Sequence, residues 1–159
     1  MIVKGGKERS DSSLIGLKKI KRFQPSNILI HDAARPDFSI KLLKNLIKNL
    51  KKNIAVIPII NPKDSIKYKI RNELYNLNRN KAFLTQTPQA FRYKYLYNLA
   101  TSQNKIISDE ATLFIENNMK IKFIKGENKN NKITYLEDIK KTKSYFGIGF
   151  DIHKLVKGK

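Results

Sequence analysis

Ile28-Leu29-Ile30-His31-Asp32-Ala33-Ala34-Arg35-Pro36 joins a short apolar run to a polar loop. The run is short enough to be a buried strand, and the loop carries a carboxylate and a guanidinium three residues apart. Hard cations such as Mg²⁺ take carboxylate oxygen, and phosphates take Arg. Such a loop can hold a metal–nucleotide and an anionic substrate side by side. A lone D-x-x-R is usually a surface salt bridge, so the weight falls on what surrounds it.

Apolar runs alternate with amphipathic helical patterns on both sides of this loop, which argues for an α/β layered fold. Ile2-Val3 reads as the end of a strand, Asp11–Ile20 as a helix with Leu14, Leu17 and Lys18 at helical spacing, and Asn27–Ile30 as a short buried strand. Ser39–Leu50 places Leu43, Leu46, Ile47 and Leu50 on one helical face. Ile54–Ile60 reads as a buried strand in which Pro58 marks a bulge or an edge. From Asn61 to Ala82 short β-like pieces, Ser65–Ile70 and Leu74–Leu77, suggest an antiparallel arm that projects from the main sheet. Ala82–Thr85 returns to strand character. Tyr93–Ser102 reads as a helix, Ser108 as the cap of another through Asn117 with Asp109 and Glu110 in its first turn, Ile121–Ile124 as a strand, and Leu136–Thr142 as a last short helix.

The 159 residues suit one domain with a real core. There is no cysteine, which excludes disulfides, a thiolate nucleophile and a Cys-based zinc site. No apolar run is long enough to span a bilayer, and Met1-Ile2-Val3-Lys4-Gly5-Gly6 has no signal-peptide pattern, so a cytoplasmic protein without a membrane partner is expected. The formal charge of +20, from 33 Lys and Arg against 13 Asp and Glu, raises nucleic-acid binding. The lysines are spread along the chain, and the aromatics sit at core-like positions rather than in a stacking row. No nucleic-acid partner is expected, and the basic surface serves to attract phosphorylated substrates.

Six loops fall at or near the ends of expected strands, where open α/β sheets place ligands. They are Gly5–Ser12, His31–Pro36, Asp64–Lys67, Thr85–Phe91, Ser108–Ala111 and Asn130–Thr134. In this order and spacing the chain resembles the 2-C-methyl-D-erythritol 4-phosphate cytidylyltransferase family. The resemblance implies a Rossmann-like nucleotidyltransferase fold with a projecting β-arm, the substrates CTP and methylerythritol phosphate, Mg²⁺, and a homodimer formed through the arm. It implies that Gly6, Ser12 and the backbone at Ala33 hold the cytidine nucleotide, that Asp32 stands near the metal and substrate hydroxyls, and that Arg35 shapes the substrate site. Ser65, where the family usually has Thr, keeps a hydroxyl. Thr87 and Ser108 match hydroxyl contacts to substrate, and Arg79 and Lys132 match the two cations that position the attacking phosphate. Asn131 departs from the aliphatic residue usual before that lysine. His31 reads as a structural hydrogen-bonding residue. Two other readings stay open on residues alone, a different sugar-nucleotide transferase of this fold and a non-catalytic basic binding protein.

The family's Gly-rich triphosphate loop, expected upstream of Gly5, has no counterpart here. The chain therefore reads as N-terminally truncated, with residues 1–142 a partial cytidylyltransferase domain (arm at 61–82) that is inactive alone. The strands at Ile2-Val3 and Ile28–Ile30 are expected to lack neighbours. Residues 143–159 read as the start of a second domain. Phe146-Gly147-Ile148-Gly149-Phe150-Asp151-Ile152-His153-Lys154-Leu155 resembles the opening strand of 2-C-methyl-D-erythritol 2,4-cyclodiphosphate synthase, which implies that Asp151 and His153 are two ligands of an incomplete Zn²⁺ site in a bifunctional enzyme.

Overall fold

The structure is a computed structural model that describes residues 2–102 and 106–139. Along the chain run α1 (Arg9–Ile20), β1 (Asn27–Ile30), α2 (Ile40–Leu50), β2 (Ala55–Ile60), β3 (Ile66–Ile70), β4 (Glu73–Leu77), β5 (Leu84–Thr85), β6 (Gln89–Arg92), α3 (Tyr93–Ser102), α4 (Glu110–Glu116), β7 (Lys122–Lys125) and α5 (Leu136–Ile139). β2 is the central strand. It pairs antiparallel with β5 and β6 and parallel with β7. β6 carries β1 on its other side, and among the described residues β1 pairs with no other strand.

Successive residues of a strand face opposite sides of a sheet, and β2 uses both. Ala55 and Ile57 join Leu17 of α1, Leu96 of α3 and Leu113 and Phe114 of α4 in one core. Phe91 and Phe114 stack there at 5.1 Å. Val56 and Ala90 face the other side and meet Leu42, Leu46 and Leu50 of α2 with Ile124. The sheet is thus covered by α1, α3 and α4 on one face and by α2 on the other. α2 starts where expected, with Ser39 Oγ accepting the Leu42 N–H at 3.0 Å. Its buried stripe is Leu42, Leu46 and Leu50, with Leu43 only half-buried and Ile47 exposed. This corrects the expected face by a fraction of a turn.

Other expectations are corrected too. Ile2 and Val3 form no strand, and Ile2 is 98% exposed. The segment expected as a loop at Thr85–Phe91 contains β6, one of the most buried strands. The ladder is broken there: Ile59 faces Thr85 whereas Val56 faces Ala90, so Gln86-Thr87-Pro88 bulges between β5 and β6. Pro58 lies opposite this break, where its carbonyl takes the Gln86 N–H at 2.9 Å. A missing N–H is tolerated at such a place. Asp109, not Ser108, caps α4, because its Oδ1 accepts the Thr112 N–H at 3.1 Å.

The arm is present as a separate two-stranded sheet of β3 and β4, in register from Ile66–Leu77 to Ile70–Glu73. Almost all of it is exposed, including Leu74 and Tyr75. α5 ends at Ile139 within the described residues, and the expected boundary at residue 142 lies outside them.

Candidate functional site

Loops from five places meet around Asp32. The carboxylate is 17% exposed and faces three cations: Arg9 Nε lies 3.4 Å from Oδ1, and Arg35 Nε and Lys132 Nζ each lie 3.6 Å from Oδ2. With Thr85, Thr87, Gln89, Ser108 and Asp109 they line a cavity of about 150 Å³. Of the residues singled out in the sequence, the structure thus brings together Asp32, Arg35, Thr87, Ser108 and Lys132.

The loop after β1 is held by an ordered set of hydrogen bonds. Thr87 Oγ1 accepts the Asp32 N–H at 3.0 Å and lies 3.1 Å from His31 Nδ1. His31 Nε2 lies 3.0 Å from the Arg35 carbonyl, which can only accept. In the neutral ring, Nε2 therefore carries the proton and Nδ1 accepts from the Thr87 hydroxyl. This gives His31 the structural role expected of it. It also spends the Thr87 proton inside the protein, so only a lone pair of that hydroxyl is left for substrate. Phe38 packs its ring edge-on against His31 at 4.5 Å.

Lys132 is placed by a buried polar network. Gln86 Nε2 donates to the carbonyls of Glu127 (2.9 Å) and Asn130 (3.1 Å), and Gln86 Oε1 accepts the Glu127 N–H at 2.9 Å. Asn130 Nδ2 donates to the Thr87 carbonyl at 2.8 Å, and Arg35 donates to the Asn130 carbonyl at 2.9 Å. Ile133 N–H donates to the Ala34 carbonyl at 2.8 Å. The Glu127 carboxylate ties back to the Ser39 hydroxyl and N–H at the start of α2. Lys132 itself stays 46% exposed.

Gly6 and Ser12 also meet, with the Gly6 N–H donating to Ser12 Oγ at 3.0 Å. A Cβ on Gly6 would fall 2.2 Å from Asp11 Cβ, so the Asp11 side chain leaves no room for one here. Ala33 is exposed in the turn after Asp32. Ser65 and Arg79 do not line the cavity. They lie at the base of the arm, where Arg79 donates to the Lys63 carbonyl at 3.3 Å. Asp151 and His153 lie outside the described residues.

Sequence reasoning gave no site role to Arg9, Glu110 and Asp109, nor to Thr85 and Gln89, which also line the cavity. Arg9 donates to both oxygens of Glu110, at 3.0 and 2.7 Å, and Glu110 is only 1% exposed. Burial alone would lower the Arg9 pKa, but the hydrogen bonds and charge of Glu110 and Asp32 outweigh it and raise it. Burial likewise works against ionised Asp109, yet donors from Gln89, Thr85 and Thr112 hold its carboxyl below the ordinary value. The signal available was their place in three of the six loops, Gly5–Ser12, Thr85–Phe91 and Ser108–Ala111, with Asp109 and Glu110 both expected in the first turn of a helix.

The family model of 2-C-methyl-D-erythritol 4-phosphate cytidylyltransferase (IspD) matches residues 1–147. The chain belongs to this family. The bifunctional enzyme IspD/IspF of Pelagibacter ubique is 50% identical over 159 residues, which are 99% of this chain and 43% of that protein. The chain thus spans less than half the length of this curated relative. Among solved structures, 4-diphosphocytidyl-2C-methyl-D-erythritol synthase of Anaerococcus prevotii superposes with a TM-score of 0.78 at 34% identity, over 86% of this chain and 63% of that one. The bifunctional IspDF of Campylobacter jejuni does so with a TM-score of 0.75 at 32% identity, over 87% and 35%. The IspD chain accordingly has the Rossmann-like nucleotidyltransferase fold. No helix among the described residues is long and apolar enough to cross a membrane.

Proposed function

We propose that the protein transfers a cytidylyl group from CTP to 2-C-methyl-D-erythritol 4-phosphate. A phosphate oxygen of the acceptor forms a bond to the α-phosphorus of CTP. The bond from that phosphorus to the bridging oxygen breaks, and pyrophosphate leaves with the electron pair. Such a reaction asks the protein for alignment and charge neutralisation rather than covalent chemistry. The observation that carries the reading is the meeting of Asp32, Arg35, Thr87 and Lys132 in one cavity, each from a loop that matches the family pattern.

Lys132 is exposed enough to leave Asp32 for the acceptor phosphate, and Arg79 is its second cation, reaching the site of a second copy through the arm. Gly6, Ser12 and Ala33 hold the nucleotide; Arg35, Ser65, Thr87 and Ser108 complete the acceptor site. Among the described residues no group of three or more His, Cys, Asp or Glu could cage a metal. One carboxylate beside an anion site is the donor set that suits Mg²⁺ on a nucleotide, with substrate phosphates supplying the other oxygens. Asp32 would hold that ion, and a bound Mg²⁺ supplies charge neutralisation for the triphosphate. Residues 143–159 open a cyclodiphosphate synthase segment, in which Asp151 and His153 would be two ligands of a Zn²⁺ site that these residues leave incomplete. The bifunctional name of the Pelagibacter relative supports this reading.

The test is pyrophosphate release from CTP and methylerythritol phosphate with Mg²⁺, catalysed by the complete gene product that carries this chain. Lys132→Ala should lower turnover about a hundredfold or more at unchanged melting temperature. No release by the wild type overturns the assignment.

A further inference from the structure

Arg9 joins two carboxylates of different character. Glu110 stands at the start of α4, 1% exposed, and takes two Arg9 N–H groups in a fork at 3.0 and 2.7 Å. Asp32 lies across the cavity and takes the remaining contact, Nε to Oδ1, at 3.4 Å. A fork of this kind fixes the plane of the guanidinium as well as its position. It also cancels the charge of Arg9. What Asp32 meets on its Oδ1 side is a directional donor without net charge, in contrast to Arg35 and Lys132 on its Oδ2 side. The positive charge that a cation meets at Asp32 is then confined to the Oδ2 side, where Lys132 is half-exposed, and the Oδ1 side adds none.

We propose that Arg9 and Glu110 are positioning residues for Asp32. Glu110 fixes and neutralises Arg9, and Arg9 fixes the Asp32 carboxylate in the orientation that accepts the metal–nucleotide. The pair links the starts of α1 and α4 to the loop after β1, three segments far apart in sequence. Arg9 lines the cavity and Glu110 stands behind it, so the role given to both is exerted through Asp32. The inference rests on the cytidylyl-transfer reading and extends it to two residues of the Gly5–Ser12 and Ser108–Ala111 loops to which the resemblance gave no role.

The test uses the complete gene product, and two readouts: steady-state kinetics, and equilibrium Mn²⁺ binding in the presence of CTP followed by the electron paramagnetic resonance of free Mn²⁺. Glu110→Gln leaves Arg9 uncompensated beside Asp32. Mn²⁺ binding should weaken about ten- to a hundredfold, the range for partners that orient a metal-binding group, and the KM for methylerythritol phosphate should change less than about threefold. Adding Arg9→Met removes the stray charge, so the double variant should bind Mn²⁺ more tightly than Glu110→Gln alone. A merely structural pair would give a double variant at least as weak as the single one. Arg9→Lys keeps the charge but cannot hold the fork and Asp32 together. It should lower kcat about tenfold or more while the protein folds. If Glu110→Gln does not fold, Arg9→Lys decides alone. Unchanged kcat in Arg9→Lys, unchanged Mn²⁺ binding in Glu110→Gln, or a double variant no better than the single one overturns the proposal. Inactivity of the wild type instead overturns the transferase reading and leaves Mn²⁺ binding to judge the pair.

Discussion

Gln86 is the residue whose removal most sharply tests how the Lys132 loop is held. It is 2% exposed, and its amide makes three contacts with one segment: two carbonyls, of Glu127 and Asn130, and one N–H, of Glu127. Gln86→Leu keeps much of the volume and removes all three. Each such hydrogen bond is worth about 1 kcal/mol net, and a buried group left unpaired costs about 1–3 kcal/mol. Some strands of the loop can turn to water, so the lower sum is the better figure, about 3 kcal/mol. Domains of this size are stable by only about 5–15 kcal/mol, and about 2–4 °C of melting temperature goes with each kcal/mol. The expected result is a loss of about 3 kcal/mol in urea denaturation and a melting temperature lower by about 6–12 °C, with the denaturant slope unchanged. Asn130→Leu breaks the neighbouring bond to the Thr87 carbonyl. The two variants share one network, so they should combine non-additively by about 0.5 kcal/mol or more. A loss below about 1 kcal/mol for Gln86→Leu, or strict additivity, would show that the loop is held by something else.

Gly126→Ala should attack the same network from the other side, because its Cβ would fall 2.3 Å from Gln86 Oε1 and 3.1 Å from the Ile59 carbonyl; urea denaturation should show a loss of about 1–3 kcal/mol. Leu46→Ala should cost about 2–5 kcal/mol, whereas Ile47→Ala, half-exposed on the same helix, should stay below about 1 kcal/mol. Asp109 has its folded pKa below the ordinary 3.8, so its stabilising effect is full above that value and is lost as pH falls through the folded pKa; the stability gap between wild type and Asp109→Asn should close in acid urea titrations and stay constant near neutrality. Arg79→Ala in the complete gene product should impair turnover of methylerythritol phosphate more than CTP binding, and equal loss of both would refute its role at the acceptor.

Where local pattern and tertiary burial agree, the elements were legible. β1 and α3 lie where the apolar runs put them, and Ser39 opens α2 because a serine before an amphipathic run is a strong cap. β6 was not legible. Gln89-Ala90-Phe91-Arg92 has no β-branched residue and follows a proline, and it becomes a strand only because β1 and β2 both offer it ladder partners. Ser108 and Asp109 are both good caps on local grounds. The choice falls to Asp109 through Thr112, while Gln89 and Thr85 hold its other oxygen. The family pattern pointed to Asp32, Arg35, Thr87 and Lys132. It did not point to Arg9 with Glu110, because no local rule pairs charges 101 residues apart.

The distribution of charge explains how such a site can be both selective and attractive to polyanions. Within the cavity the charges are nearly balanced. Glu110 cancels Arg9, neutral donors and the Thr112 N–H satisfy Asp109, and Asp32 is shared by Arg35 and Lys132. A balanced cluster has little long-range pull, and at physiological salt its field is screened within about 8 Å. The pull must come from the whole surface, with its formal charge of +20. Association with phosphorylated substrates should therefore weaken steeply with added salt. The preference among them is local: Lys132 is the cation exposed enough to exchange Asp32 for an incoming phosphate. Once it does, Asp32 loses one positive neighbour and becomes a better partner for a metal ion, so binding of acceptor phosphate and of metal–nucleotide should each strengthen the other, as linkage requires.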